Sequence, residues 1–291
     1  MKSTFTEKIF YTVNYLILFL IAMTCLLPLV HLASLSLSDS HAVLSGRVTL
    51  WPVGWTLESY QMLWEGTRIV EAFGNSLIIT VVGVILSMIC TILTAYPLSR
   101  RYFFGRRWFL LAAVFTMLFA GGTIPTYLVI KELGLVNNYG ALWLPALVNT
   151  YNMLVLRTFF ENIPEELEDA ARMDGCGEWR MLIGMMLPLS LPALATLTLF
   201  YGVGFWNSFL SVLIYINETD KYNLTVLVQQ MIRKQSLLQE LVSVQPEDAA
   251  NLTPEGIKAA GVMVLIIPMM IVYPFLQKYF VKGVMLGSIK G

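Results

Sequence analysis

Charge is scarce in this chain. Asp, Glu, Lys and Arg make up 13% of its 291 residues, against roughly 25% in a soluble domain. Lys plus Arg and Asp plus Glu both total 19, so there is no basic excess to suggest a nucleic-acid partner, and none is expected. Cysteine is scarce too. Cys25, Cys90 and Cys176 are far apart, without Cys-x-x-Cys or Cys/His ligand spacing, so neither a disulfide framework nor a zinc site is indicated. The two histidines, His31 and His41, have no companions at catalytic spacing, and no catalytic or metal-ligating set is expected. A P-loop nucleotide site needs G-x-x-x-x-G-K-[ST], and the chain has no Gly-Lys dipeptide. These gaps disfavour a cytosolic enzyme, a nucleic-acid binder and a disordered tail.

What is there is apolar. The residues AVILMFWYC amount to 57%, and mean hydropathy is +0.68. Charge-free windows run over 9–38, 72–99, 108–130, 133–156, 181–217 and 259–277. A spanning helix needs about 20 mostly apolar residues. The windows predict six transmembrane helices, about 11–35, 74–97, 108–130, 140–160, 187–214 and 259–280. Pro145, Pro268 and Pro274 fall inside them, where neighbouring helices can satisfy the freed carbonyls. The first window is longer than the 7–15 residues or so of a signal-peptide core, and reads as a span. With the N-terminus inside, the internal segments hold 12 Lys/Arg and the external ones 7. The positive-inside bias then gives N-in, C-in, with RRYFFGRR at 100–107 as the strongest vote. The chain reads as one all-α integral membrane domain, 1–291.

Three segments outside the lipid are informative. Residues 38–73 carry Trp51, Trp55, Tyr60 and Trp64, either an interfacial aromatic belt with a short amphipathic helix or a docking surface. Residues 225–242 have amphipathic helical spacing. The N-x-T triplets at Asn217, Asn223 and Asn251 read as ordinary turn residues. The internal segment 161–186 is ENIPEELEDAARMDGCGEWRMLIGMM. Pro164 suits a helix start, and Glu165, Glu166, Glu168 and Asp169 suit its dipole. Leu167, Ala170, Ala171 and Asp174 follow helical spacing. Gly175, expected at φ > 0, and Gly177 break the helix, and a second one runs 178–186 toward Pro188. Glu161 adds a fifth acid. So much negative charge sits badly against anionic lipid and favours a protein partner.

This segment resembles the EAA loop of binding-protein-dependent ABC importers, E-A-A-x-x-x-G, nine residues, then I-x-L-P. Asp169, Ala170, Ala171, Arg172, Asp174 and Gly175 lie in the first half, and Met185, Met186, Leu187 and Pro188 in the second, with nine residues between. Asp169 for Glu and Met185 for Ile depart from the pattern conservatively. The tail QKYFVKGVMLGSIKG resembles that of maltose-type sugar permeases, and 119–148 resembles the group importing complex oligosaccharides, including aldouronates. The resemblance implies the type I permease fold of ABC importers and a subunit that forms half of a pore for oligosaccharides. It implies a second homologous permease around which the first helix wraps, two ATPase subunits that hold ATP and Mg, an extracytoplasmic solute-binding protein, and surrounding membrane lipid. No cofactor is then expected on this chain. The location implied is the bacterial plasma membrane, multi-pass, with 161–186 cytoplasmic as the coupling loop. Asp169, Ala170, Ala171, Arg172, Asp174, Gly175, Leu187 and Pro188 would couple to the ATPase, and Lys290 and Gly291 would make a C-terminal ATPase contact.

Within 197–215, LTLFYGVGFWNSFLSVLIY, Tyr201, Phe205, Trp206 and Asn207 offer amide and aromatic groups that suit a sugar path. The alternative is helix packing, with Gly202 and Gly204 permitting close approach and Asn207 capping an interhelical contact. An ion-coupled secondary transporter is the rival reading. It needs ionisable groups within the membrane, and all six windows lack Asp, Glu, Lys and Arg.

Overall fold

The computed structural model describes residues 5–242 and 255–287. Among them every regular element is helical, as expected. In chain order α1 is Phe5–Ser36, α2 Ser40–Leu44, α3 Glu58–Gly66, α4 Ile69–Ser99, α5 Arg106–Leu118, α6 Thr123–Glu132, α7 Gly140–Trp143 and α8 Thr150–Glu161. There follow α9 Glu165–Met173, α10 Glu178–Met181, α11 Leu187–Leu189, α12 Leu191–Trp206, α13 Leu210–Tyr215, α14 Leu224–Val242 and α15 Glu255–Gly287. The residues pack as two units, Met1–Ile69 with Val228–Ile267, and Val70–Leu227 with Pro268–Gly291.

In the first unit, α1 exposes an apolar surface from Phe10 to Leu27 that nothing among the described residues covers. Its end is different. Ser34, Ser36 and Ser38 are buried because each hydroxyl has a partner: Ser34 donates to Leu50 O at 2.7 Å, Ser36 meets the Tyr60 hydroxyl at 2.9 Å, and Ser38 accepts from Val53 N–H at 3.0 Å. His31 Nδ1 lies 2.6 Å from Thr49 O, a structural role. The loop 45–57 is thereby folded against the helix end. The helix expected in 38–73 is α3, which buries Leu63 and turns Trp64 outward. Gly256 sits against Ser59 and Leu35, where a Cβ would meet Ser59 Oγ at 2.5 Å.

In the second unit, α4 runs past two apolar clusters. Ala95, Tyr96 and Leu98 pack with Met153, Leu156, Phe160, Met181, Met186 and Leu197. Farther back along α4, Ile79 packs with Leu142, Tyr201, Phe205, Val212 and Tyr215. Gly83 admits the Phe205 ring, whose carbons would lie 2.8 Å from an added Cβ.

Among the described residues three helices are long and apolar enough to cross a membrane: Thr6–Ser36, Ile69–Ser99 and Glu255–Phe275. They correspond to the expected 11–35, 74–97 and 259–280. The expected helices 108–130 and 187–214 are not continuous. They occur as Arg106–Leu118 with Thr123–Glu132, bent by 113°, and Glu178–Leu189 with Leu191–Trp206, bent by 82°. If each bent pair is one span the number rises to 5. The first bend follows from Gly122 at φ 86°, a conformation side chains oppose. At the second, Ser190 leaves helical geometry at φ −97°, ψ 8°, just ahead of Pro192. The expected 140–160 is interrupted as well. A 3₁₀ turn at Leu144–Ala146 carries Pro145, and α8 restarts at the Asn149 cap, whose side chain accepts from Asn152 N–H at 3.1 Å. Absence of charge marks apolar environment, and these breaks are apolar too, so the windows ran through them.

Candidate functional site

The segment 161–190 is built on α9. Pro164, expected as the first helical residue, takes the cap position instead, so the helix starts one residue later at Glu165, and three acids occupy the first turn. The end is a Schellman turn: Cys176 N–H donates to Ala171 O at 2.9 Å, Gly175 N–H to Arg172 O at 3.0 Å, and Gly175 has φ 76°. The expected left-handed glycine is present. Ala171 and Cys176 pack together against the Met153–Phe160 cluster, while Leu167, Asp169, Ala170, Met173 and Asp174 face outward. After α10 the helix widens into a π turn, Leu182–Met186, in which Leu187 N–H reaches Leu182 O. Pro188, which has no N–H to give, follows inside α11.

The acids do not all face outward. Glu168 pairs with Arg100, both largely buried, and the Arg100 guanidinium lies 4.5 Å from the Tyr96 ring centre. Glu161 pairs with Arg106 and, at 2.7 Å, with Arg157. Glu165 meets Arg101 at 3.4 Å with both side chains exposed. Glu166 and Asp169 have no ion pair among the described residues. The basic run 100–107, whose sequence value was orientation, thus also clamps α9. Arg100, Arg101 and Arg106, with Glu161, Glu165 and Glu168, help to wall a cleft of about 440 Å³.

Glu178 gathers the second half. Its carboxylate accepts from the Tyr96 hydroxyl at 2.6 Å and the Tyr102 hydroxyl at 2.9 Å, and pairs with Arg172 at 3.1 Å. Arg172 also stacks on Tyr102, 4.9 Å from the ring centre. Burial and the bond to Glu178 push the Tyr102 hydroxyl above the ordinary tyrosine range, so it stays a donor at neutral pH. Sequence reasoning missed Tyr96, Arg100, Tyr102, Arg157, Glu168 and Glu178 as a network. The one available signal was that opposite charges fall in two segments assigned to the same side.

The sequence-selected sugar-path residues are distributed differently. Tyr201, Phe205 and Trp206 are at most 6% exposed. The Tyr201 hydroxyl lies 2.7 Å from Thr91 Oγ1 and accepts from Asn149 N–H at 3.0 Å. Trp206 meets Phe73 edge to face. Asn207 is exposed, and its amide donates to Val203 O at 3.1 Å. Tyr201 and Phe205 still form part of the wall of a hollow of about 320 Å³. Lys290, Gly291 and Asn251 lie outside the described residues.

Residues 76–286 match the family described as binding-protein-dependent transport system inner membrane component. The polygalacturonan/rhamnogalacturonan transport system permease protein YtcP of Bacillus subtilis (strain 168) is 40% identical over 287 residues, 98% of this chain and 99% of the relative. Protein LplC of the same organism is 37% identical, with 100% of this chain and 98% of the relative covered. Among solved structures, a chain of a bacterial ABC transporter involved in the import of the acidic polysaccharide alginate superposes with a TM-score of 0.86 at 32% identity, covering 96% of this chain and 99% of that one.

Proposed function

Because the chain belongs to the family of binding-protein-dependent transport system inner membrane components, we propose that it forms half of the pore of an ATP-driven oligosaccharide importer. It is a multi-pass permease subunit of the inner membrane and belongs to a non-catalytic family. A second homologous permease completes the pore. Two separate ATPase subunits hold ATP and Mg, and an extracytoplasmic binding protein delivers the sugar. Six crossings with both termini inside remain the topology we favour, each bent or interrupted helix region counting as one crossing. The uncovered apolar face of α1 suits lipid and the partner permease.

One observation carries the assignment of roles. The outward side of α9, ending at the Gly175 turn, presents Asp169, Ala170 and Asp174 on a helix clamped from behind by Arg100. Arg172 braces the turn through Glu178, and Leu187 and Pro188 continue the segment toward α12. A small, rigid, outward helix is suited to seat in a cleft of an ATPase and to return its movement to α4. Lys290 and Gly291 add a second ATPase contact in this reading, and Tyr201, Phe205, Trp206 and Asn207 shape the sugar path.

The test is co-purification followed by reconstitution. The chain should bring down a second permease and an ATPase. Vesicles holding that complex should import labelled oligosaccharide only with ATP and binding protein. ATP-independent uptake driven by a proton or sodium gradient would support the secondary-transporter reading instead. Orientation is checked with single cysteines: Ser45→Cys should label from outside intact cells and Gly105→Cys should not.

A further inference from the structure

Two helix interruptions meet at one place in the second unit. One is 144–149, between α7 and α8, and the other is 207–209, between α12 and α13. Both lie inside charge-free windows. Irregular backbone at membrane depth cannot face lipid, because its amides and carbonyls would go unpaired. It must be buried in protein or line a hydrated cavity. Here both interruptions line the same hollow of about 320 Å³.

We propose that this hollow, walled by Pro145, Asn149, Phe200, Gly204, Ser208 and Ser211, is a subsite for a single sugar unit of the transported oligosaccharide. The proposal rests on the importer reading above and adds to it a contact made by this subunit itself. The size is at the lower end of the roughly 300–1,000 Å³ of small-ligand pockets, which fits one ring and not a chain. The lining is chemically suited. Asn149 spends its Oδ1 on the α8 cap, leaving its NH₂ to donate. Ser211 is exposed and supplies a hydroxyl. Phe200 is 40% exposed and offers an apolar face to ring C–H groups. Among the described residues no charged side chain lines the hollow, so a sugar unit is held there by its hydroxyls and ring face, and a uronate carboxylate would have to point out of it. The Tyr201 hydroxyl is already engaged by Thr91 and Asn149 and braces the wall. Trp206 and Asn207 are not in the lining.

Gly204 gives the test its handle. It is exposed and lines the hollow, and a Cβ built there has nothing within 4 Å, so a side chain can start from this position without an immediate clash. The assembled complex, with permeases, ATPase and binding protein, is reconstituted and uptake is measured for short oligogalacturonates, alginate oligomers and a neutral pentose oligomer. The series Gly204→Ala, Gly204→Val, Gly204→Phe should lower uptake progressively. The Phe variant should lose about tenfold or more, since a single misplaced methylene in a shaped pocket already costs roughly tenfold. Subunit stoichiometry should be unchanged. Gly202→Ala on the same helix, where the added Cβ makes only an ordinary 3.9 Å contact with Val84, should transport like the wild type. In a chain with Cys25, Cys90 and Cys176 replaced, Ser211→Cys should react with a charged maleimide and be protected during sugar turnover. Wild-type uptake by a correctly assembled Gly204→Phe complex, or labelling of Ser211→Cys unaffected by sugar, overturns the subsite alone. A wild-type complex that imports none of the sugars overturns the importer reading and the subsite with it.

Discussion

Two corners of the second unit hold irregular backbone in opposite ways. Where 96–107 meets 161–190, the bonds run between charged or phenolic side chains: Arg100 to Glu168, Arg106 and Arg157 to Glu161, and Arg172, Tyr96 and Tyr102 to Glu178. Where 134–139 meets 207–224, most of the bonds run from neutral side chains to backbone, and the one charged contribution is Lys221, which donates to Asn137 O at 3.2 Å and pairs with the neighbouring Glu218 at 2.8 Å. Asn137, at φ 64°, accepts from Asn217 N–H and Glu218 N–H at 3.2 and 3.1 Å, and its own N–H donates to Tyr215 O at 2.7 Å. Asn75 donates to Asp220 O and Tyr222 O at 2.7 and 3.0 Å. Asn223 donates to Ser208 O at 2.6 Å and caps α14 through Val226 N–H at 3.0 Å. The Asn223 bond to Val226 N–H is buried, and leaving such a group unmade costs about 1–3 kcal/mol, while the Asn75 and Asn137 bonds each tie one amide to two backbone groups. Exposed ion pairs are worth only about 0–1 kcal/mol and can exchange partners. The neutral corner is therefore built to stay still. The charged corner has one buried anchor and several remakable pairs, which suits an element that must move with a partner.

The sharpest break in that comparison is at the anchor. Arg100→Ala leaves Glu168 in a largely buried place without its cation and removes the contact with Tyr96. Removing one partner of a buried pair costs about 3–5 kcal/mol. The expected outcome is a large drop in the thermal unfolding temperature of the purified complex and in its abundance in membranes. Unchanged stability would mean that Glu168 is solvated in the assembly and that the charged corner has no anchor.

Next is the neutral corner. Asn223→Ala deletes a helix cap, worth roughly 1–2 kcal/mol, together with the bond to Ser208 O. It should lower the unfolding temperature measurably, yet leave the ratio of ATP hydrolysed to sugar imported at its wild-type value. A changed ratio would show that this corner also moves. Gly175→Val should differ in its effect on coupling. A β-branched residue in left-handed geometry costs about 1–2 kcal/mol, so stability should fall about as much as for Asn223→Ala, but ATP hydrolysis should continue with much less transport.

Glu178→Gln separates bond from charge. Glutamine still accepts from one tyrosine hydroxyl but cannot pair with Arg172. We expect weaker coupling with little loss of stability, and restoration toward wild type by Glu178→Asp. The pH sense follows from Tyr102. Its pKa is raised in the fold, so the contribution of this bond is full below the ordinary tyrosine value of about 10 and disappears only as pH rises through the higher folded value. Coupling in the wild type should therefore not vary with this group between pH 6 and 8. A coupling loss in that window abolished by Tyr102→Phe would contradict the assignment.

Much of this was legible in the sequence, for reasons that also explain what was not. Period and charge exposed the long helices α1, α4 and α15, and the Asp169–Gly175 spacing exposed both the α9 helix and its left-handed end, because glycine there answers a local backbone demand. The breaks at Gly122, Leu144–Asn149 and Ser190 were hidden because apolar residues surround them. Asn223 read as a turn residue because nothing local reveals that its partners are Ser208 and Val226. Glu161, Glu165 and Glu168 read as partner-facing because Arg106, Arg101 and Arg100, which take them, lie 55–68 positions away in sequence, and only Arg157 is a near neighbour of Glu161. Of the five acids, Glu166 and Asp169 are exposed and have no ion pair among the described residues.

The smallest effect sharpens the comparison most. Arg101 and Glu165 make an ion pair at 3.4 Å in the same corner as Arg100 and Glu168, but their side chains are 85% and 70% exposed. Water already solvates both charges, so the pair gains little and loses little. Arg101→Ala should change stability by no more than about 0.5 kcal/mol, near the middle of the range measured for exposed pairs, and raising salt should erase even that. The readout is the unfolding temperature of the purified complex at low and high salt, beside Arg100→Ala in the same preparation. Equal losses for the two arginines would mean that the corner acts as one charged surface, with burial irrelevant. A loss at Arg100 alone would place the anchor at one buried pair and leave the rest of the corner free to exchange partners.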